Sequence, residues 1–414
     1  MPCTFRRCLC LAIFCFAFQS LALPQTTNVP LTEGKLLGLV AGAVLPQNIV
    51  HAVQTRNLAF RPTDKYRELL TTAGADDSVQ QAVAKAKTQP AADSSKPPSP
   101  AYLQHLADAG KLLRASHDQE AAQELVAAVE LNDGPETGFI MAQAFRHQKN
   151  FAAAAQLYQQ VLERASYFTE AHTKLSYISY LLGDYEQGLR EATAALEVFP
   201  DNPEAHKNAA LSLANLQKPE AAIAENREAL RLKPDYAAVH NNLALIYEQR
   251  KENEQAEQEF AKAISLEPKE EDYRYNYGTL LNDMRKFPEA VRQLREAKKL
   301  DPSRIDIRQN LGAALLNADV AAAIREFHEL IAMAPDFEYA RVGLGAASIS
   351  HGDYEIAASE YRQATVLDPS DPIAFSGLGH AIPSPFGLCQ SGTPSPSRSG
   401  HRGCWHRRKR SNGD

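Results

Sequence analysis

Apolar residues recur at helical spacing through most of this chain, in short blocks divided alternately by a tight polar turn and by a turn that closes on proline. From residue 101 onward the blocks come in pairs, and the pairs repeat. Pro200, Pro234, Pro268, Pro302, Pro335 and Pro369 lie 34, 34, 34, 33 and 34 residues apart. A self-similar unit of this length is a helix pair that cannot bury its apolar face alone, so copies stack into a solenoid. The pattern therefore predicts an all-α fold whose working surface is long and shallow.

With the proline counted as position 32, units begin at Pro135, Thr169, Pro203, Ala237, Glu271, Ile305 and Glu338, with a weak one at Ala101 and an incomplete one after Asp371. Position 8 is small throughout (Ala142, Ser176, Ala210, Ala244, Gly278, Gly312, Gly345), where a wide side chain would hold two helices apart. Position 20 is also small, and position 24 is often a large aromatic: Tyr158, Phe260, Phe327 and Tyr361. The unit starting at Ile305 is one residue short near its inner turn.

These positions resemble the tetratricopeptide repeat over residues 101–380, about eight repeats in all. The resemblance implies a right-handed superhelix whose first helices line a concave groove, and a non-enzymatic scaffold that binds an extended peptide or a partner helix there.

Other segments carry different patterns. Residues 1–22 read as a signal peptide, with Arg6 and Arg7 ahead of an apolar run and small residues at Ser20 and Ala22. The run falls short of the roughly 20 apolar residues that span a bilayer. Cleavage after Ala22 and a place in the bacterial periplasm or outside the cell are expected, and membrane contact follows only if the segment stays uncut. Residues 31–87 form blocks punctuated by Pro46, Pro62 and Gly74, which predicts a small separate module of four helices that serves as an N-terminal cap. Residues 88–100, TQPAADSSKPPSP, read as an extended linker. Residues 381–414 read as a basic disordered tail, and two origins stay open for it: native chain, or a change of reading frame. With the last pair only partly covered, self-association through that end is a further expectation.

Charge and cysteine usage narrow the partners. Residues 23–387 hold 36 Lys and Arg against 49 Asp and Glu, a formal charge of −13, which argues against nucleic acid. All six cysteines lie in the two terminal segments, so the repeats hold neither a disulfide nor a thiolate metal site. No phosphate-binding loop, dinucleotide fingerprint, HExxH or GxSxG motif is present, and no cofactor is expected. The rival to a scaffold is that these repeats are the substrate-binding portion of a longer enzyme whose catalytic domain is missing. His172, His206 and His240 share position 4 of successive units. Stacked helices sit about 8–10 Å apart and zinc binds imidazole at about 2 Å, so a packing or hydrogen-bonding role is expected rather than a metal.

The candidate binding residues are Asn208, Asn242, Asn276 and Asn310, all at position 6 of a first helix. An asparagine offers one acceptor and two donors, which suits it to a peptide backbone. Similar ladders occur in the repeats of protein O-linked N-acetylglucosamine transferases. Against this stands the plain reading that asparagine is common at this position of the family. Lys174, Lys207, Asn241 and Tyr275 share the predicted groove face, as do Phe139, Tyr177 and Tyr180, which offer an aromatic anchor or plain helix packing. A clamp of convergent basic residues on a partner's terminal carboxylate would have only Lys174 and Lys207 to use.

Overall fold

The computed structural model describes residues 29–89, 97–165 and 168–382; the expected signal peptide, most of the linker and nearly all of the tail lie outside them. The described residues are helical apart from turns and two single bridges. They belong to two compact units divided after Pro302.

The first unit opens with α1 (Glu33–Ala41), α2 (Pro46–Arg56), α3 (Asp64–Ala73) and α4 (Asp77–Lys85), the four helices that the punctuation predicts. Each of three starts on a hydroxyl or carboxylate cap, Thr32, Thr63 and Asp76, which accepts from the backbone N–H three residues on. Leu31, Leu58 and Thr88 bridge one another and tie the ends of the module together.

Six helix pairs follow in the same unit: α5 (Pro100–Arg114) with α6 (Asp118–Leu131), α7 (Pro135–His147) with α8 (Phe151–Arg164), α9 (Glu170–Leu182) with α10 (Tyr185–Val198), α11 (Pro203–Asn215) with α12 (Pro219–Leu232), α13 (Ala237–Gln249) with α14 (Asn253–Leu266), and α15 (Glu271–Asp283) with α16 (Phe287–Leu300). The second unit holds α17 (Ile305–Ala318) with α18 (Val320–Met333), α19 (Glu338–His351) with α20 (Tyr354–Leu367), and α21 (Pro372–Ala381), the first helix of a further pair.

The turn inside each pair has one recurring requirement, a left-handed residue. Ser116, Lys149, Gly183, Gln217, Lys251, Arg285 and Gly352 all have φ between 58° and 98°, and only two are glycines, which take this conformation without steric cost. The short unit meets the turn differently. Asp319 alone separates α17 from α18, ending the first helix and capping the second by accepting from Ala322 N. The missing residue is thus the left-handed one.

Position 24 packs as the knob for the small residues of position 8. A Cβ added at Gly312 or Gly343 would run into the Phe327 ring, and one added at Gly345 or Gly377 into the Tyr361 ring. One knob thus seats on its own first helix and on the first helix of the next pair.

The module is not a separate body. One core runs without a break from Leu31 of the module to Ile178 of α9. Every residue of α1 from Gly34 to Ala41 is buried, because Gly38 and Gly110 let it approach Glu136 on α7 and Ala41 meet α5 in near-backbone contact. Lys35 lies in that core with its Nζ 5.0 Å from the centre of the Phe168 ring. Burial lowers its pKa to about 7.

Candidate peptide-binding surface

First helices pack side by side, α5 on α7 and, further along, α9 on α11, α11 on α13 and α13 on α15, so that α9 to α15 form an inner face within the first unit. The module lies on the beginning of that face. Gln143 Nε2 donates to the Gly42 carbonyl at 2.6 Å, and Lys174 Nζ donates to the Ala43 carbonyl at 3.1 Å. Further along, Asn48 Nδ2 donates to Asn202 Oδ1 at 3.0 Å, and the His51 ring stacks on Phe199 with centroids 3.6 Å apart. Arg56 Nη1 stands 3.6 Å from Glu170 Oε1. A crevice of about 310 Å³ remains between α2 and α9 to α11, lined in part by Val44, Asn48, His51, Thr173 and Glu204.

This docking changes the place of several residues that the sequence puts in the groove. Phe139 belongs to the interior, not to the groove face: it is fully buried, edge-on to Tyr158 and against Phe168, with Gly42 of the module pressed on its ring. Lys174 pairs with Glu204 at 2.9 Å while holding Ala43, so it is committed within the chain. Asn208 is likewise buried and donates to the Thr173 carbonyl of the preceding first helix at 2.9 Å.

Past the module no other described helix is packed on this face. Lys207 is half-buried, its Nζ 4.8 Å from the centre of the Tyr177 ring and 5.8 Å from that of Tyr236. Burial lowers its pKa to about 8, against the pull of Glu204 and with the help of Lys174, Arg146 and Lys233. Tyr177 also stacks on Tyr180, centroids 6.1 Å apart. Asn276 Nδ2 donates to Asn241 Oδ1 at 3.1 Å, joining α15 to α13, and Asn242 and Tyr275 are half-buried beside them. In the second unit, Asn310 Nδ2 donates to Asp306 O in its own helix at 3.0 Å. The four position-6 asparagines therefore differ in environment despite their common register.

The sequence reading missed Gln143 and Tyr236. It read His172, His206 and His240 as a series but not their partners, nor His105: the four histidines, His105, His172, His206 and His240, each place Nδ1 2.6 Å from the carboxylate of Glu124, Glu191, Glu225 and Glu259 respectively. Of the packing or hydrogen-bonding role expected at position 4, hydrogen bonding is what His172, His206 and His240 show.

Residues 180–237 and 313–372 match a family model described as tetratricopeptide repeat, and residues 237–270 match another of the same description. No curated protein matches the chain. Solved structures that resemble it include PilW, described as a widely conserved type IV pilus biogenesis factor, at 19% identity over 51% of this chain and 98% of that one, with a TM-score of 0.46. PilF of Pseudomonas aeruginosa is 20% identical over 51% of this chain and 97% of that one, TM-score 0.45. YrrB, described as a TPR protein with an unusual peptide-binding site, is 22% identical over 45% of this chain and 96% of that one, TM-score 0.41.

Proposed function

The chain belongs to the tetratricopeptide repeat family, and on that premise we propose that it is a non-enzymatic protein-protein interaction scaffold that holds an extended polypeptide on the open inner face of α11, α13 and α15. The observation that carries this reading is the grip of Gln143 and Lys174 on the carbonyls of Gly42 and Ala43. The inner face already holds a stretch of main chain there, through side chains that bond the backbone and read no side chain. Beyond it, Lys207, Asn241, Asn242, Tyr275 and Asn276 continue the face with donors, acceptors and aromatic walls at the first-helix spacing. Tyr177 forms the wall nearest the module.

The test is capture of polypeptides from a cell-envelope extract by the full chain and by a variant carrying Lys207→Ala, Asn241→Ala, Tyr275→Ala and Asn276→Ala together. The variant is expected to bind the captured polypeptides at least about tenfold more weakly, a loss of about 1.4 kcal/mol, with its helical circular dichroism unchanged. Equal capture by both proteins removes the inner face as the site. Export belongs to the same proposal: N-terminal sequencing of the protein recovered from the envelope should begin at Leu23, and recovery of an intact Met1 from the cytoplasm would refute it.

A further inference from the structure

Position 4 of the first helix makes two bonds in two of the later repeats. Arg274 gives Nη2 to the carbonyl of Pro268, the residue that closes the preceding repeat, at 3.3 Å, and Nη1 to Gln293 on its own second helix at 3.2 Å. Arg341 does the same with Pro335 O at 3.2 Å and Glu360 at 3.0 Å. A single cation therefore ties the end of one repeat to both helices of the next.

His206 occupies this position in the fourth pair and reaches the same two partners. Its Nε2 lies 2.8 Å from Pro200 O and its Nδ1 2.6 Å from Glu225 Oε2. Both neighbours are acceptors, and neither has a proton to lend. A neutral imidazole carries one N–H and so satisfies one of them; the imidazolium satisfies both. His240 shows the contrast, because its Nδ1 faces Glu259 while its buried Nε2 has no partner, and a neutral ring suffices.

We propose that His206 is a proton-operated staple between repeats: protonated, it locks the end of the α10 repeat onto α11 and α12, and deprotonated it releases one of the two bonds. The charges that face it come from α12, where Glu225 and Glu228 lie, with Arg231 bonded to Glu228 and reaching Asp201. The staple stands beside the module's anchor. Asn202, two residues beyond Pro200, caps α11, donates to Thr173 and accepts from Asn48 of α2. Loosening this junction therefore reaches both the docked module and the point where the open face begins.

The sign follows from the surroundings. Burial opposes the charged ring, but the Glu225 bond, the Pro200 carbonyl and the charge of Glu228 outweigh it, so the pKa of His206 is raised above its ordinary 6.5. The stabilisation is complete below that ordinary value and is lost as pH rises through the higher folded value.

Imidazole ¹⁵N shifts of the full chain, assigned with His206→Gln, test the protonation directly. Both nitrogens of His206 should carry protons near pH 6, and a neutral tautomer there overturns the proposal. Hydrogen exchange, corrected for its intrinsic pH dependence, reads the consequence. Amides of α10 to α12 should lose at least about threefold protection between roughly pH 6 and pH 8.5 in the wild type. His206→Arg, which copies Arg274 and Arg341, should show no such loss. The same pH-dependent loss in His206→Arg as in the wild type also overturns it.

Discussion

Replacing Phe139 with alanine is expected to cost about 3–5 kcal/mol and to release the N-terminal module along with the repeat that carries the mutation. The side chain is fully buried and touches three separate parts of the fold: Tyr158 on α8, Phe168 ahead of α9, and Gly42 at the end of α1. The ring closes the seam between module and repeats, and the core it belongs to extends from Leu31 to Ile178. In a solenoid, stability is close to a sum of repeat terms and nearest-neighbour terms, so a loss at one seam is felt locally. Hydrogen exchange should therefore show α1 to α3 and α5 to α8 losing protection together, while α15 and α16 keep theirs. If α1 to α4 stay protected while α7 and α8 open, the module folds independently and the continuous core is not a cooperative unit.

This seam is also where reading the sequence falls short. A 34-residue period identifies equivalent residues, and with them the helix pairs, the small residues at position 8 and the shortened turn at Asp319. Equivalence does not reveal what lies on a given copy. The sequence puts Phe139 and Tyr177 on one face of the array, but Phe139 is fully buried with Gly42 of the module on its ring, whereas Tyr177 is half-exposed. Nothing periodic in the repeats encodes that cover, which comes from a segment outside the period. The hint was in the module, where Gly34, Gly38 and Gly42 set a four-residue stripe suited to close helix contact. The histidine-glutamate pairs were more accessible, since all four are 19 residues apart and span the same inner turn. The asparagines mislead for a related reason. Position 6 sits at the join between successive first helices, so its amide has a choice between the neighbouring helix and the groove. Asn208 and Asn276 both bond to the preceding first helix.

The same geometry makes Asn226→Leu a stabilising change, by about 1–3 kcal/mol. Asn226 stands at position 24, where five other repeats place Tyr158, Phe260, Leu294, Phe327 and Tyr361 and the α9–α10 repeat places Ala192. It is fully buried, and neither its Oδ1 nor its Nδ2 has a hydrogen-bond partner. Phe327 and Tyr361 show that this position seats between position 8 of its own first helix and position 6 of the next. The register therefore places Asn226 between Ala210 and Asn242, whose own Nδ2 is buried and unpartnered. A leucine removes two uncompensated polar atoms and supplies the apolar contact that Leu294 makes against Gly278. Urea unfolding should move to a higher midpoint with an unchanged slope, and exchange protection should rise first in α11 to α14. A lower midpoint would mean that the amide's bonds are completed by ordered water inside the seam, and that this join between repeats is held by a buried polar contact where the two repeats that follow use the apolar knobs Phe260 and Leu294.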